Sequence, residues 1–471
     1  MMNRMAICSL VAAVGCARTD ADPPAHPVHA TTFYQAPKPL RPDAVTEDWP
    51  VFLGARHNAV SGETKLLTTW PTAGPSVVWE RETGSGYAAP VVAGDRLVFF
   101  HRLGDEEIIE CMHPETGNLY WSHRYLCDYK DRYDFNNGPR CSPVISDGRV
   151  FTYGVQGVLH SLDLATGKVI WQRKINDEYQ VKQNFFGVAS TPLVEGELLI
   201  VQVGAPGGPE VIGLDRGTGK TVWTAGGAWS AGYASPVPAV IQGRRRVLMF
   251  NGGESRPTNG GLLSIDPATG SMDFRFPFRG KRFESVNASN PVWADNRVFI
   301  SSCYRTGGTM LNITPELTAE VAWKTDELGA HWAMPIIHDG YLYGVDGYLR
   351  NQISLVCLEV ATGKLMWRTL PTWNETVERN GQPVDMPFDT GRCWLIFVDR
   401  RVLCLGEDGH LLWLDLTPQG CTVLQRTWLF NARETWSPPV IARGLLYVCQ
   451  NTPSADGKAA RLLCYDLRQG Q

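Results

Sequence analysis

A nine-residue phrase recurs along this chain and restricts its fold more than any other feature. Asp163-Leu-Ala-Thr-Gly-Lys-Val-Ile-Trp171 is written again as Asp215-Arg-Gly-Thr-Gly-Lys-Thr-Val-Trp223 and as Glu359-Val-Ala-Thr-Gly-Lys-Leu-Met-Trp367. His113-Pro-Glu-Thr-Gly-Asn-Leu-Tyr-Trp121 is a looser copy, and Asp266-Pro-Ala-Thr-Gly-Ser-Met-Asp-Phe274 ends on Phe. The aromatic positions 121, 171, 223, 274, 323 and 367 lie 44 to 52 residues apart, a period that belongs to propeller or solenoid arrays. Each copy follows a short alternating apolar run, such as Val158-Leu-His-Ser-Leu162, which reads as a half-buried strand. The leading Asp can fold its carboxylate onto backbone N–H groups and open a turn. Gly167 supplies a positive φ at no steric cost. The returning strand delivers a Trp whose ring must be buried and whose N–H needs a partner.

Ahead of each copy stands a second signature, Ser142-Pro-Val-Ile-Ser-Asp-Gly148-Arg-Val-Phe-Thr-Tyr153, which reads as strand, Asp-Gly turn, strand. One period therefore holds four antiparallel strands, one propeller blade. Opening strands near Ala88, Cys141, Ser190, Ser235, Asn290, Ala333, Cys393 and Ser437 predict an all-β, eight-bladed propeller over residues 48–471. The eighth blade reaches its last turn at Asp466 without an outer strand. Pro75-Ser-Val-Val-Trp79-Glu, directly before blade one, is the strand expected to complete it and close the ring, which also removes an exposed edge.

Helical periodicity is scarce, and a formal charge of −4 carries no electrostatic footprint for nucleic acid. Arg244-Arg-Arg246, the one basic run, falls at a hairpin tip and reads as a solvated turn. Residues 1–15 read as an export signal, with an apolar core too short to span a bilayer. Residues 16–47, Pro-rich and poorly patterned, read as a flexible tether. Ala13-Val-Gly-Cys16 is similar to the lipobox of bacterial lipoproteins, which makes Cys16 the expected acylated residue, although Ala13 stands where Leu is preferred. An ordinary cleaved signal is the alternative. Most remaining cysteines sit in apolar strands as small buried hydrophobes. Cys127 and Cys141 bracket an insertion and are able to bridge it in an oxidising compartment. No Cys-x-x-Cys occurs, and no metal site is expected.

The repeats resemble the PQQ-like (quinoprotein alcohol dehydrogenase-like) β-propeller family, whose blades carry an A-x-D-x-x-T-G-x-x-x-W pattern. The opening Asp48-Trp-Pro-Val-Phe-Leu-Gly54-Ala-Arg-His-Asn-Ala-Val-Ser61 is similar to the W-P-x-F-R-G-P…G-x-S entry of its exported bacterial members, with Leu53 and Ala55 in place of Arg and Pro. The resemblance implies that Trp79, Trp121, Trp171, Trp223, Trp323 and Trp367 dock against neighbouring blades. It leaves activity open. Catalytic members hold PQQ with Ca²⁺, and several carry adjacent cysteines that this chain lacks. Other members, such as the outer-membrane assembly lipoprotein, are scaffolds that bind partners through propeller loops.

Ligands of a propeller gather at the loops entering the innermost strands. Tyr87, Arg140, Tyr233, Asn290, His331, Trp332, Arg392 and Trp436 stand at those entrances. Aromatic and guanidinium groups are good anchors for a partner. Equally, Tyr87, Tyr233, Trp332 and Trp436 read as core that plugs the channel, and Arg140 and Arg392 as members of structural ion pairs. Insertions 126–138 and 373–389 and the Gly-rich loop 251–261 are further places for binding. The carboxylates Asp128, Asp131, Asp134, Glu254, Glu284, Asp385, Asp389 and Glu434 suit paired-acid hydrolysis, a calcium site or a solvated rim. No Ser/His/Asp set can be assembled. The expectation is therefore an exported, lipid-anchored, monomeric scaffold that binds a cell-envelope protein or extended polymer at the periplasmic or outer-membrane surface. Its membrane contact would be the anchor alone. A PQQ/quinone-dependent oxidoreductase is the alternative.

Overall fold

Hydrogen bonding divides the strands into eight antiparallel blades of four strands, one of them extended by a fifth, and a separate two-stranded hairpin. The computed structural model describes residues 30–470 except Asn380, so the signal segment and Cys16 lie outside the described residues. Blades one to seven span 91–126, 144–174, 193–225, 237–277, 292–325, 336–369 and 394–428, and blade eight uses 440–466. The missing outer strand is Val77–Glu82. It pairs antiparallel with Arg461–Asp466, with Trp79 opposite Cys464 and Glu82 opposite Arg461. The ring closes as its sequence requires. Thr31–Phe33, from the stretch read as tether, adds a short strand outside Val77–Glu82, and the Lys38 N–H donates to Asp466 Oδ2 at 2.9 Å.

The repeated phrase explains how blades join. Asp163 Oδ1 accepts from the Thr166 N–H at 2.8 Å and from the Thr166 hydroxyl at 2.6 Å, and Gly167 adopts φ +71°. A Cβ on Gly167 would sit 2.5 Å from the ring of Trp121, the docking aromatic of the previous blade. The same Trp-over-Gly contact recurs as Trp171 on Gly219, Trp223 on Gly270, Trp323 on Gly363 and Trp79 on Gly117. Glycine is thus required twice, for its backbone and for its missing side chain. Each indole N–H finds a carbonyl in the neighbouring turn. Trp121 donates to Leu164 at 2.9 Å, Trp171 to Arg216 at 3.0 Å, Trp223 to Pro267 at 2.9 Å, Trp323 to Val360 at 3.0 Å and Trp79 to Pro114 at 2.8 Å. Trp367 donates to Thr417 at 2.7 Å.

One segment crosses the ring near its axis. Trp49 exchanges backbone hydrogen bonds with Val92 of blade one, Pro50 accepts from Ile145 of blade two, and Ser61 and Ala59 bond Phe397 of blade seven. Leu53 and Ala59 are buried with Met334, Ile336 and Trp394 of blades six and seven. The inner strands therefore use edge groups that would otherwise face an open channel to hold this segment. Its backbone hydrogen bonds fall on the first strands of blades one, two and seven.

Candidate binding face

The opposite end gathers the loops that join each outer strand to the next inner strand, and aromatic rings fill its centre. Tyr87 and Trp436 lie 5.1 Å apart between centroids. Trp332 stacks on Trp394 at 5.0 Å, and the Trp394 N–H donates to the Trp436 carbonyl at 2.7 Å. The insertion after blade one sends Phe135 to within 5.6 Å of Trp436 and 5.9 Å of Phe186, and the Tyr233 hydroxyl accepts from the Phe186 N–H at 3.0 Å. Insertion and entrance residues thus form one packed layer across the channel mouth.

Both arginines singled out from the sequence are internally paired. Arg140 donates to Asp131 Oδ2 at 2.9 Å and to the Asn136 carbonyl at 2.6 Å. It lies over the Tyr129 ring at 5.2 Å and the Tyr87 ring at 5.8 Å. Arg392 donates through Nε to Glu407 Oε1 at 3.1 Å and stacks on Trp436 at 4.7 Å, while the Trp436 N–H reaches the same Glu407 oxygen at 3.0 Å. Burial pushes the Glu407 carboxyl up, but Arg392 and the indole outweigh burial and hold it below the usual range. Glu407 was not singled out from sequence. Its signal is an acid ending the apolar run Val402-Leu-Cys-Leu405.

Asn290 is engaged within the ring: its Oδ1 accepts from the Ser235 N–H at 2.8 Å, between blades five and four. It ends a relay in which Ala89 donates to Ser142 at 3.1 Å, Ser142 to Thr191 at 3.1 Å and Thr191 to Ser235 at 3.0 Å. His331 meets the Tyr304 hydroxyl at 3.4 Å, and burial, reinforced by Arg392, lowers its pKa to about 3. Cys127 and Cys141, read as able to bridge, are separate buried thiols. Arg102 donates toward Cys127 Sγ at 3.6 Å, while Cys141 packs into the core between blades two and three. The basic run at the blade-four hairpin is more than a solvated turn, because Arg245 pairs with Glu195 at 2.7 Å and Arg246 with Asp273 at 2.8 Å.

The acids on this face are dispersed among local partners. The Tyr87 hydroxyl donates to Glu434 at 3.2 Å, Thr376 to Asp385 at 2.6 Å, and the Gly391 N–H to Asp389 at 2.7 Å. Among the described residues no three His, Cys, Asp or Glu side chains converge where they could hold a metal ion. The second insertion is a hairpin, Thr372–Arg379 with Gln382–Asp389, whose Trp373 and Phe388 pack on His410 at 5.0 and 5.2 Å.

Beside the filled mouth lies a groove of about 1500 Å³. Its walls are the first insertion, the loops 176–190 and 204–206, and the residues 230–232 and 254–256. Arg132 of the insertion forms an ion pair with Glu254 of the Gly-rich loop, joining two of those walls.

Residues 104–369 match the family described as outer membrane protein assembly factor BamB. The dehydrogenase subunit of a quinone-dependent alcohol dehydrogenase from Gluconacetobacter polyoxogenes is 25% identical over 383 residues, 70% of this chain and 48% of that protein. BamB of Yersinia pestis is 22% identical over 284 residues, 58% of this chain and 65% of that protein. The chain thus spans about half the length of the alcohol dehydrogenase it matches. Among solved structures, a europium-containing methanol dehydrogenase superposes with a TM-score of 0.63 at 11% identity, covering 89% of this chain and 98% of that one. That likeness is one of fold.

Proposed function

The chain belongs to the propeller family described as outer membrane protein assembly factor BamB, and from that membership we propose that it is a non-catalytic binding module of the cell envelope. Its partner, a protein or an extended polymer, is met on the face built by the insertions and entrance loops. The observation that carries this reading is how the channel mouth is occupied. Its arginines hold Asp131 and Glu407, and its aromatic rings stack on one another. A centre packed in this way leaves binding to the loops and groove around it.

The alternative is an oxidoreductase that uses PQQ with Ca²⁺, which the alcohol dehydrogenase relative favours. A quinone of that kind supplies an electrophilic carbonyl that accepts hydride from an alcohol. It needs a flat slot and convergent oxygen ligands for calcium. The residues at this mouth fit it poorly, since Trp332 packs on Trp394 and Phe135 on Trp436, and the nearby acids are dispersed among Arg140, Arg392 and local hydroxyl and amide donors instead of converging. The test is to titrate the purified chain with PQQ and Ca²⁺ while following thermal stability and dye-linked alcohol oxidation. Neither should change. Saturable binding with alcohol turnover would overturn the reading.

The same proposal places the chain outside the cytoplasm as a monomer, attached to membrane only through an acylated Cys16. Cys16→Ser should abolish labelling by a fatty-acid probe and release the protein from the membrane fraction; continued labelling would refute the anchor.

A further inference from the structure

The groove beside the channel mouth has a chemistry of its own. Its volume of about 1500 Å³ exceeds the roughly 300–1,000 Å³ usual for a small-molecule pocket, so it suits an extended ligand. Six cationic side chains line it against four carboxylates, on a chain whose formal charge is −4. Lys130, Lys174, Lys182 and Arg256 form no ion pair among the described residues. Three of the four acids are engaged, since Glu254 is held by Arg132, Asp105 meets Arg102 at 3.5 Å and Asp128 accepts from the Gln156 amide at 2.5 Å. The floor is polar. Ser190 and Gln202 are 3% and 2% exposed, and Ser190 Oγ, Gln202 Oε1 and Ser230 Oγ have no hydrogen-bond partner among the described residues. Buried polar groups are ordinarily satisfied by protein or by ordered water, so a floor of this kind, with Gln183 and Asn184 beside it, suits a polar chain better than an apolar one.

We propose that this groove takes an extended acidic peptide segment of a protein partner. Carboxylates of the segment meet Lys130, Lys174, Lys182 and Arg256, and its main-chain amides meet the hydroxyls and amides of the floor. The inference rests on the binding-module reading above and adds the chemistry of the partner. A glycan fits less well, because sugars stack on open aromatic faces. Here Tyr129 is 2% exposed, and the Phe283 face is covered by the Arg256 guanidinium at 3.7 Å. Glu254 is then a built-in competitor. It occupies Arg132 and places a negative charge beside the path of an acidic chain.

The probe is a fluorescein-labelled peptide alternating Glu and Ser, with a Gln/Ser peptide as the neutral control, followed by anisotropy on the purified chain. The acidic peptide should bind saturably and lose affinity as salt rises, and the control should not bind. Lys130→Glu with Lys182→Glu should weaken binding by roughly tenfold or more, since each exposed reversal replaces an attraction by a repulsion. Glu254→Gln should tighten it several-fold. All three positions lie in loops, so unchanged thermal midpoints show that the ring is intact. An affinity indifferent to the double reversal, or weakened by Glu254→Gln, overturns the proposal. So does polygalacturonate that binds with the same sensitivity to the reversal while the acidic peptide does not bind, which would assign the groove to an anionic glycan. Cross-linking in intact cells separates this inference from its premise. If the double reversal still captures the envelope partner of the native chain and the peptide does not bind, the groove assignment fails while the binding-module reading stands. If the native chain captures no partner, the premise fails.

Discussion

Asp131→Asn decides whether Arg140 belongs to the fold or to a partner. The Arg140 side chain is 8% exposed and that of Asp131 0%, and they meet at 2.9 Å. Asp131 also accepts from the Tyr129 hydroxyl at 3.1 Å and the Tyr133 N–H at 2.9 Å, so the carboxylate organises the insertion that carries Phe135 into the mouth. The substitution removes a charge with little change in volume and leaves a buried guanidinium facing only carbonyls. Breaking a buried pair in this way costs about 3–5 kcal/mol. The retained bond to Asn136 favours the lower end, about 3 kcal/mol. Spread over about 440 described residues at about 2.1 cal/mol/K each, that cost would move a cooperative midpoint by only about 3 °C. The insertion is joined to the ring at its two ends, so the loss should appear first as local opening. Amide exchange at Tyr133 and Phe135 should accelerate by about two orders of magnitude, at about 1.4 kcal/mol per decade. Arg140→Met on the Asp131→Asn background removes the stranded charge and should restore most of the protection. Should Asp131→Asn leave exchange and midpoint unchanged while partner capture is lost, the structural assignment of Arg140 is refuted.

Three further outcomes follow from the geometry. Trp79→Ala should destabilise the ring by about 3–5 kcal/mol, and Trp121→Ala by less, because Trp79 is fully buried in the closing strand while Trp121 is half-buried; equal losses in denaturant melts would contradict the closure argument. Asn290→Ala should cost about 1–3 kcal/mol by stranding the Ser235 N–H, with peptide and partner binding intact; loss of binding at unchanged stability would return Asn290 to the ligand site. Burial lowers His57 to about 4 and His160, His331 and His410 to about 3. The unfolded chain therefore binds more protons below the usual histidine value near 6.5, and stability should fall as pH drops from about 6.5 toward 3. Burial raises Glu63 to about 7 and raises Glu107 as well, which opposes this trend above about 4.5, as two carboxyls against five histidines once His123, also lowered by burial, is included. A melting temperature that rises on acidification from 6.5 to 4 would contradict the balance.

The architecture was legible because one phrase encodes both a turn and an inter-blade contact. Gly167 and its counterparts report that something presses on the turn, and the Trp of the previous blade is what presses. Closure could be read from the missing outer strand of blade eight, since an unpaired Arg461–Asp466 edge requires a partner. The segment across the ring was not legible. Trp49, Leu53 and Ala59 follow no strand period, and their partners lie from Val92, 43 residues on, to Phe397, more than 300 residues on. The engaged state of the arginines was equally hidden. Asp131 lies nine residues from Arg140 and Glu407 fifteen from Arg392, but nothing in spacing alone separates those acids from Asp134 or Asp385, which do not pair with them.

The inter-blade bond of Asn290 has a register explanation, and it also bears on where binding would occur. Inner strands open on proline in most blades, and proline has no N–H, so the donor nearest the strand entrance belongs to the residue before it. That N–H is taken by a hydroxyl or amide of the next blade, which makes the position one before proline an inter-blade strap: Ala89, Ser142, Thr191, Ser235 and Asn290. The position facing the mouth is three before proline, where Tyr87, Arg140, Tyr233, Trp332 and Trp436 stand, and Asn290 is two residues out of that register. At the mouth position blades three and five carry Ala189 and Ala288. Large residues at this register knit the centre together, and small ones leave space. Ala189 lines the 1500 Å³ groove, so the binding surface opens beside the blade whose entrance residue is too small to join the central layer. Replacing Ala189 with Trp would extend that layer into the groove, and the acidic peptide should then be excluded while the ring keeps its melting temperature to within a few degrees; undiminished peptide binding would break the link between register and site.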